Sequence, residues 1–426
     1  MPKQIEGSRA TAEAIALCRP EVICAYPITP QTHIVERLGE LVKDGYLANC
    51  EFINVESEFA ALSVAIGASA AGARAYTATA SQGLLFMAEA VYNASGLGLP
   101  IVMTLGNRAI GAPINIWNDH SDAMSMRDAG WIQLFAETNQ EAVDLHIQSF
   151  KLAEELSMPV MVCVDGFILT HAVEQVDIPD QAAVDEFLPP YDPIQVLDPK
   201  DPISIGAMVG PEAFTEVRYI AHHKQMRALE LIPINAGVFK DTFGRDSGGL
   251  LRGYRHEDAE TLVVAMGSVC GTIKDTIDEM REAGIRIGLV VIVSYRPFPT
   301  AALRDMLAAA KDVVVVEKSF AVGLGGQLAN DVDTALRNLP DGPNLHSAVA
   351  GLGGRPIWRR SLHRLFRQAV AEPWEGTHFL DLNEPVIQRE IQRIGKTRRS
   401  GPTAESLLRQ LGRRGELVAA GEETST

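Results

Sequence analysis

The chain has 426 residues and a formal net charge of −16, from 38 basic against 54 acidic side chains. That length holds two or three domains, each with its own core, and that acidity excludes nucleic acid or an anionic membrane as the general partner. Hydrophobic residues at 46% and charged residues at 22% are those of a soluble globular protein.

The first residues, MPKQIEGSRATAEA, contain no apolar leader core, and no run approaches the roughly 18 apolar residues of a membrane span. A soluble, cytoplasmic protein is expected. From there short β-branched runs alternate with helical patterns, the rhythm of an α/β protein with parallel sheets. The first strand is expected at Val22–Ala25 and ends in Tyr26-Pro27-Ile28-Thr29-Pro30. Pro27 ends ladder donation there. Pro30 suits the first position of a helix over Pro30–Val42, with Thr29 as its N-cap and Ile34, Leu38, Leu41 and Val42 on one face. A strand at Glu51–Val55 precedes Ser57, which reads as the N-cap of a helix over Phe59–Ala71 so apolar that it is expected to be buried on all sides. Further strands are expected at Arg74–Thr79, Pro100–Leu105 and Pro159–Val164.

LPPYDPIQVLDPKDP, residues 188–202, carries five prolines in fifteen positions and can be neither helix nor central strand. It marks a boundary after a first domain at 1–187, and with the weakly periodic stretch that follows it forms a connecting segment over 188–258. A second α/β unit, 259–392, contains four apolar runs: TLVVAMGS, GIRIGLVVIVSY, KDVVVVEKS and HSAVAG. The pattern fades after Asp381, and residues 393–426 read as an Arg-rich polar tail, either a solvated end or an arm on an acidic partner.

Several chemistries fail on inspection. Cys18, Cys24, Cys50, Cys163 and Cys270 contain no C-x-x-C pair, so they read as reduced thiols and offer no iron–sulfur or zinc motif. GLGGQL and GLGGRP lack the third glycine of a dinucleotide fingerprint, and no phosphate-binding G-x-x-x-x-G-K-[ST] occurs. TATASQG lacks the first glycine of a nucleophile elbow. His222 and His223 are adjacent and poorly placed to share a metal, and no metal ligands are expected.

What remains is a polar cluster at the end of each strand of the first domain, where open α/β sheets bind ligands. These are Thr29, then Glu56-Ser57-Glu58, Ser81-Gln82, Asn107-Arg108 and Asp165-Gly166-Phe167. Glu58 opens a helix whose first turn is expected to be buried. It either shares a proton with a ligand nitrogen or only complements the helix dipole. Arg108 either clamps a carboxylate or pairs with Asp119 or Asp122.

AYPITPQT, the glutamate of ESEFAAL, TATASQGL, NRAIGAPINIWNDHSD and VDGF together resemble the α subunit of 2-oxoacid:ferredoxin oxidoreductases, most closely the pyruvate:ferredoxin branch. YRPFP, VEKSFAVGLGGQL and AGLGGR extend the resemblance over nearly the whole chain. It implies a thiamine-enzyme pyrimidine-binding domain, a parallel sheet with helices on both faces, followed by a transketolase C-terminal-like α/β domain. It implies thiamine diphosphate as cofactor, with Glu58 matching the catalytic glutamate on the aminopyrimidine ring. Tyr26, Pro27, Ser81 and Gln82 match cofactor-binding positions, and Thr29 and Arg108 match the residues that hold the substrate carboxylate.

The Gly-Asp-Gly motif that binds Mg²⁺ and diphosphate in thiamine enzymes is absent from this sequence. The family places that motif on a separate β subunit, and iron–sulfur clusters on γ and δ subunits. The resemblance therefore implies half an active site. The reaction implied is CoA-dependent oxidative decarboxylation of a 2-oxoacid, with electrons leaving through the partner chains to ferredoxin. Rival readings are a sister complex for an aromatic or branched 2-oxoacid, with NAD as an alternative final acceptor, and a noncatalytic scaffold subunit.

Overall fold

A computed structural model of the chain describes residues 2–371, 374–396 and 403–411. It divides into two compact units, Met1–His378 and Phe379–Thr426. The first begins with β1 (Lys3–Glu6), α1 (Gly7–Leu17), β2 (Val22–Ala25), α2 (Thr32–Lys43), β3 (Glu51–Asn54) and α3 (Glu58–Ala70). Next come β4 (Ala75–Thr79), α4 (Ser81–Phe86), α5 (Ala88–Leu97), β5 (Ile101–Asn107), α6 (Ser121–Ser125) and β6 (Ile132–Phe135). α7 (Asn139–Leu156), β7 (Val160–Asp165), β8 (Val173–Val176), α8 (Gln181–Phe187) and α9 (Phe214–Phe243) lead to the second sheet.

That sheet is built from β9 (Leu251–Tyr254), β10 (Thr261–Ala265), α10 (Val269–Glu282), β11 (Ile287–Ile292), β12 (Ser294–Arg296) and α11 (Thr300–Leu307). It continues through β13 (Asp312–Glu317), α12 (Gln327–Leu336), β14 (Asn344–Val349), α13 (Arg359–Ala371) and β15 (Thr377–Phe379).

The expected parallel sheets are present. The first runs β12-β6-β7-β5-β4-β2-β3 and is parallel except for β12. The second runs β15-β14-β13-β10-β11-β9, with β9 antiparallel to β11. β4, β5 and β7 are buried at every position, which is why their sequences read as apolar runs without alternation. A single core extends from Leu62 and Leu84 through Trp131 and Phe135 to Val290, Val315 and Val332, so the two sheets share one interior.

Three local expectations differ from what the chain forms. GIRIGLVVIVSY is two strands: β11 ends at Ile292, and β12 leaves for the other sheet, where Ser294 pairs with Leu134 of β6. Tyr295, fully buried, donates from its hydroxyl to Asp331 Oδ2 at 2.8 Å and anchors that exchange. Residues 203–258 contain the 30-residue helix α9, hidden from periodicity because only Ala228, Leu231, Ile232, Asn235 and Phe239 are buried along it. The Pro-rich segment before it carries no regular structure beyond an isolated bridge. It is pinned by Arg74 Nη2 on Pro189 O (2.8 Å), Gln195 Nε2 on Leu97 O (2.9 Å) and Leu197 N on Ala70 O (2.8 Å).

The third difference is at the double proline. α2 starts at Thr32, so Thr29 is not an N-cap and Pro30 is not its first residue. The Thr29–Pro30 peptide is cis, inside a turn that Gln31 N closes on Ile28 O at 2.9 Å.

In the second unit α14 (Glu384–Lys396) pairs with a helix at residues 403–411 through Glu390, which accepts from Ser406 Oγ at 2.9 Å and Gln410 Nε2 at 3.3 Å. Of the expected polar tail at 393–426, residues 397–402 and 412–426 lie outside the described residues. No helix among the described residues is long and apolar enough to cross a membrane.

Candidate active site

Strand order places the ends of β5, β4 and β2 side by side, with β3 next to β2. The corner after β2 is seated on its neighbours by size. A Cβ on Gly166, just past β7, would stand 2.5 Å from the Pro30 ring, so that position needs glycine, whereas one on Gly106 of β5 would stand in ordinary contact at 3.4 Å. Gln31, fully buried, then ties the corner down, donating from Nε2 to Tyr26 O at 2.9 Å and to Ala78 O of β4 at 3.5 Å. Tyr26 itself is 37% exposed, and Pro27 beside it is exposed too. The Thr29 side chain is exposed, and among the described residues its hydroxyl has no hydrogen-bond partner.

Arg108 reaches this corner from the end of β5. Its Nη1 donates to Thr29 O at 3.0 Å and its Nε to Asn115 O at 2.9 Å. The residue is 6% exposed, yet among the described residues its guanidinium meets no carboxylate. Burial holds the group below the usual guanidinium range, partly opposed by the charge of Asp122. Asp119 and Asp122, the partners considered from the sequence, are used otherwise. Asp119 accepts from Ser121 N (3.0 Å) and Gly353 N (3.0 Å). Asp122 takes the Arg108 backbone N–H at 2.9 Å.

Asp122 is the residue that sequence reasoning undervalued. Fully buried, it accepts from Ser81 N (3.0 Å), Asn107 Nδ2 (2.9 Å) and Ala123 N (2.8 Å) besides Arg108 N, binding the end of β4 to the end of β5. Burial pushes its carboxyl up to about 7 against those four donors. Ser81, held by Asp122, has a left-handed φ of +47° and donates from Oγ to Ala109 O at 2.5 Å. Its hydroxyl also bonds the Gln82 side chain, which lies against Gly111.

Glu58 stands at the start of α3, whose N-terminus Ser57 caps by accepting from Ala60 N at 3.2 Å, as expected. α3 as a whole is only partly buried, against the expectation of full burial, because Phe59, Ser63 and Gly67 face outward. Glu58 itself is 8% exposed, and among the described residues its carboxyl has no hydrogen-bond or ion-pair partner. It lies over Gly83, where a Cβ would stand 2.7 Å from Oε1 and 2.5 Å from Thr79 Oγ1, itself buried and unpartnered. Glu58, Ser81, Gln82, Arg108 and Thr29 thus form one linked rim, with Tyr26 attached through Gln31.

Asp165, of the fifth cluster, is spent elsewhere. Asp165 binds His120 Nε2 (2.7 Å), Lys318 Nζ (2.8 Å) and Ser268 N (3.0 Å). Burial alone would raise its carboxyl, but the charges of Lys318 and His120 hold it well below the usual range. These bonds join the two sheets and occupy both carboxylate oxygens. AGLGGR acts likewise: Gly353 accepts from Asn115 Nδ2 at 3.2 Å and Gly354 packs on Trp117, so the second sheet shapes the loop after Arg108.

Residues 13–233 match the family model described as pyruvate flavodoxin/ferredoxin oxidoreductase, thiamine diphosphate-binding, and 259–361 match pyruvate:ferredoxin oxidoreductase core domain II. The chain belongs to the pyruvate:ferredoxin oxidoreductase family. Within it, the chain is 45% identical over 390 residues to pyruvate synthase subunit PorA of Methanosarcina barkeri, covering 90% of this chain and 97% of that one. Solved structures agree on the fold. A 2-oxoglutarate:ferredoxin oxidoreductase from Magnetococcus marinus superposes with TM-score 0.65 at 18% identity, covering 87% of this chain and 65%, less than two thirds, of that one. A split-gene transketolase superposes at 0.52 and 13% identity, covering 87% of this chain and all of that one.

For this family a carboxyl on a buried residue with no partner among the described residues, set above a glycine with no side chain to block it, fits a thiamine ring nitrogen.

Proposed function

We propose that the chain is the α subunit of a thiamine diphosphate-dependent 2-oxoacid oxidoreductase, with pyruvate as substrate, acetyl-CoA and CO₂ as products and ferredoxin as acceptor. One observation carries the reading: the buried residues Glu58 and Arg108, whose carboxyl and guanidinium meet no opposite charge among the described residues, stand on one rim, joined through Gly83, Ser81 and Asp122. An unpaired buried charge is costly unless a ligand meets it.

Thiamine diphosphate, when bound, supplies the carbon nucleophile and electron sink for decarboxylating a 2-oxoacid. This chain's residues hold and orient around it. Glu58 shares a proton with the cofactor's pyrimidine ring, and Tyr26, Pro27, Ser81 and Gln82 shape its seat. Arg108 has two of its guanidinium nitrogens on carbonyls, which aims the group without neutralising it and leaves it to anchor the substrate carboxylate beside the free Thr29 hydroxyl.

Residues 1–187 present the site and 259–392 form the transketolase C-terminal-like part that assembles the complex. With no Gly-Asp-Gly sequence in the chain, diphosphate and Mg²⁺ fall to a β subunit. The scattered cysteines, all buried, leave iron–sulfur clusters to γ and δ subunits, in a cytoplasmic assembly.

The test is Glu58→Gln in the assembled complex. Turnover should fall by at least about 100-fold, the scale of lost acid–base catalysis, while thiamine diphosphate stays bound. A variant that reduces viologen at near the normal rate would remove Glu58 from the chemistry.

A further inference from the structure

Three side chains without a task in the reaction converge beside the corner that carries Thr29. Glu6 ends β1, His33 is the second residue of α2, and His171 lies between β7 and β8. His33 Nδ1 stands 2.6 Å from Glu6 Oε1, and one ligating atom from each of the three lies within 4.8 Å of the others. The two imidazoles meet at 4.9 Å between centroids.

A Glu–His hydrogen bond alone would account for the first distance, but not for the way His171 is prepared. Its ring stacks on Phe167 at 4.7 Å, and Phe167 rests on Trp117 at 4.8 Å. Its Nδ1 is 2.8 Å from Thr170 Oγ1, a hydroxyl oriented by accepting from Phe167 N at 2.8 Å. An Nδ1–H donated to that oxygen leaves Nε2 with a free lone pair, the arrangement that orients ligating histidines. Arg37, one turn along α2 from His33, does not compete, because it is taken by Glu40 at 3.1 Å and Glu13 at 3.6 Å.

We propose that Glu6, His33 and His171 bind a divalent transition metal of the zinc class, with water completing the shell. Two imidazoles and a carboxylate suit such an ion. Tetrahedral ligands about 2.0–2.1 Å from zinc lie roughly 3.3 Å apart, so closing from 4.8 Å asks for a movement of ~1.5 Å. His33, whose side chain is 45% exposed, has room to make it. The ion clamps β1, the start of α2 and the β7–β8 loop around the Thr29–Pro30 corner. This site stands whether or not the 2-oxoacid reading does.

The experiment titrates the untagged full-length chain with Co²⁺, followed by its visible d–d bands, and then with Zn²⁺ in competition by calorimetry. One equivalent should bind with four-coordinate bands, and Zn²⁺ should raise the melting temperature. His33→Ala and His171→Ala should each weaken binding at least about tenfold. His33→Ala changes a half-exposed side chain, so its metal-free melt should match the parent. All five cysteines are buried and do not compete. The proposal fails if no saturable binding occurs by about 100 µM metal, or if the His33→Ala/His171→Ala double variant binds as the parent does.

Discussion

Placing a methyl group on Gly83 asks whether the position of the Glu58 carboxyl governs turnover. Gly83 lies inside α4, where helix propensity alone favours alanine by up to about 1 kcal/mol. Space decides the other way. The new Cβ would stand 2.5 Å from Thr79 Oγ1, 2.7 Å from Glu58 Oε1 and 2.9 Å from Glu58 Cγ, whereas ordinary contact begins near 3.4 Å. The carboxyl oxygen must therefore retreat by 3.4 − 2.7, about 0.7 Å. Displacements near 1 Å cost on the order of 100-fold in rate, so Gly83→Ala should lower turnover roughly 10- to 100-fold. Overpacking should also cost about 1–3 kcal/mol of stability.

The assay is CoA- and 2-oxoacid-dependent viologen reduction by the assembled complex, with cofactor content and a thermal melt on the same preparation. Gly96→Ala is the control: that glycine lies in α5, and an added methyl there would meet nothing within 4 Å, so stability should rise slightly and the rate stay unchanged. Full activity in Gly83→Ala with a melt as high as the control's would refute the reasoning.

Arg108→Lys keeps the charge but cannot hold the Thr29 and Asn115 carbonyls and a carboxylate at once. KM for the 2-oxoacid should rise about 10- to 100-fold with cofactor content unchanged; an unaltered KM would mean that the guanidinium only braces the corner. Glu317 supplies a test in pH. Its carboxyl accepts from Gln327 N, Leu328 N and Ala329 N, yet burial raises it from 4.5 to about 7. A folded-state value above the unfolded one means stability present in full below 4.5 and lost as pH rises to 7, roughly 3 kcal/mol in all. Glu317→Gln should flatten denaturation midpoints across that window, and parallel slopes for variant and parent would contradict the assignment.

Much of the rim was legible because its ingredients are local. An apolar run ending in polar residues marks a strand and its C-terminal edge, and Ser57 before Glu58 marks a helix start, which the Ser57 hydrogen bond to Ala60 N bears out. Asp122 was legible only as one of two acids near Arg108, since nothing local says that its carboxylate gathers Ser81 and Asn107 as well. Thr29 was misread as a cap because Thr-Pro before an amphipathic stretch is the usual start of a helix, whereas here Gly166 admits the Pro30 ring and the turn closes first.

By itself the sequence determined the α/β class, the family, and which five strand ends carry polar groups, because those follow from periodicity and local residue order. Only the tertiary structure decided what each polar group faces. Asp165 looked like a member of the rim, yet packing of the second sheet brings Lys318 and Ser268 to it and removes it from the site. For Arg108 the sequence left open a carboxylate clamp or a pair with Asp119 or Asp122, and the fold gives its guanidinium two carbonyls and, among the described residues, no carboxylate. Glu6, His33 and His171, spread over 165 positions, meet only because β1, α2 and the β7–β8 loop share one corner. A side chain's partners are set by contacts distant along the chain, and no local pattern records them.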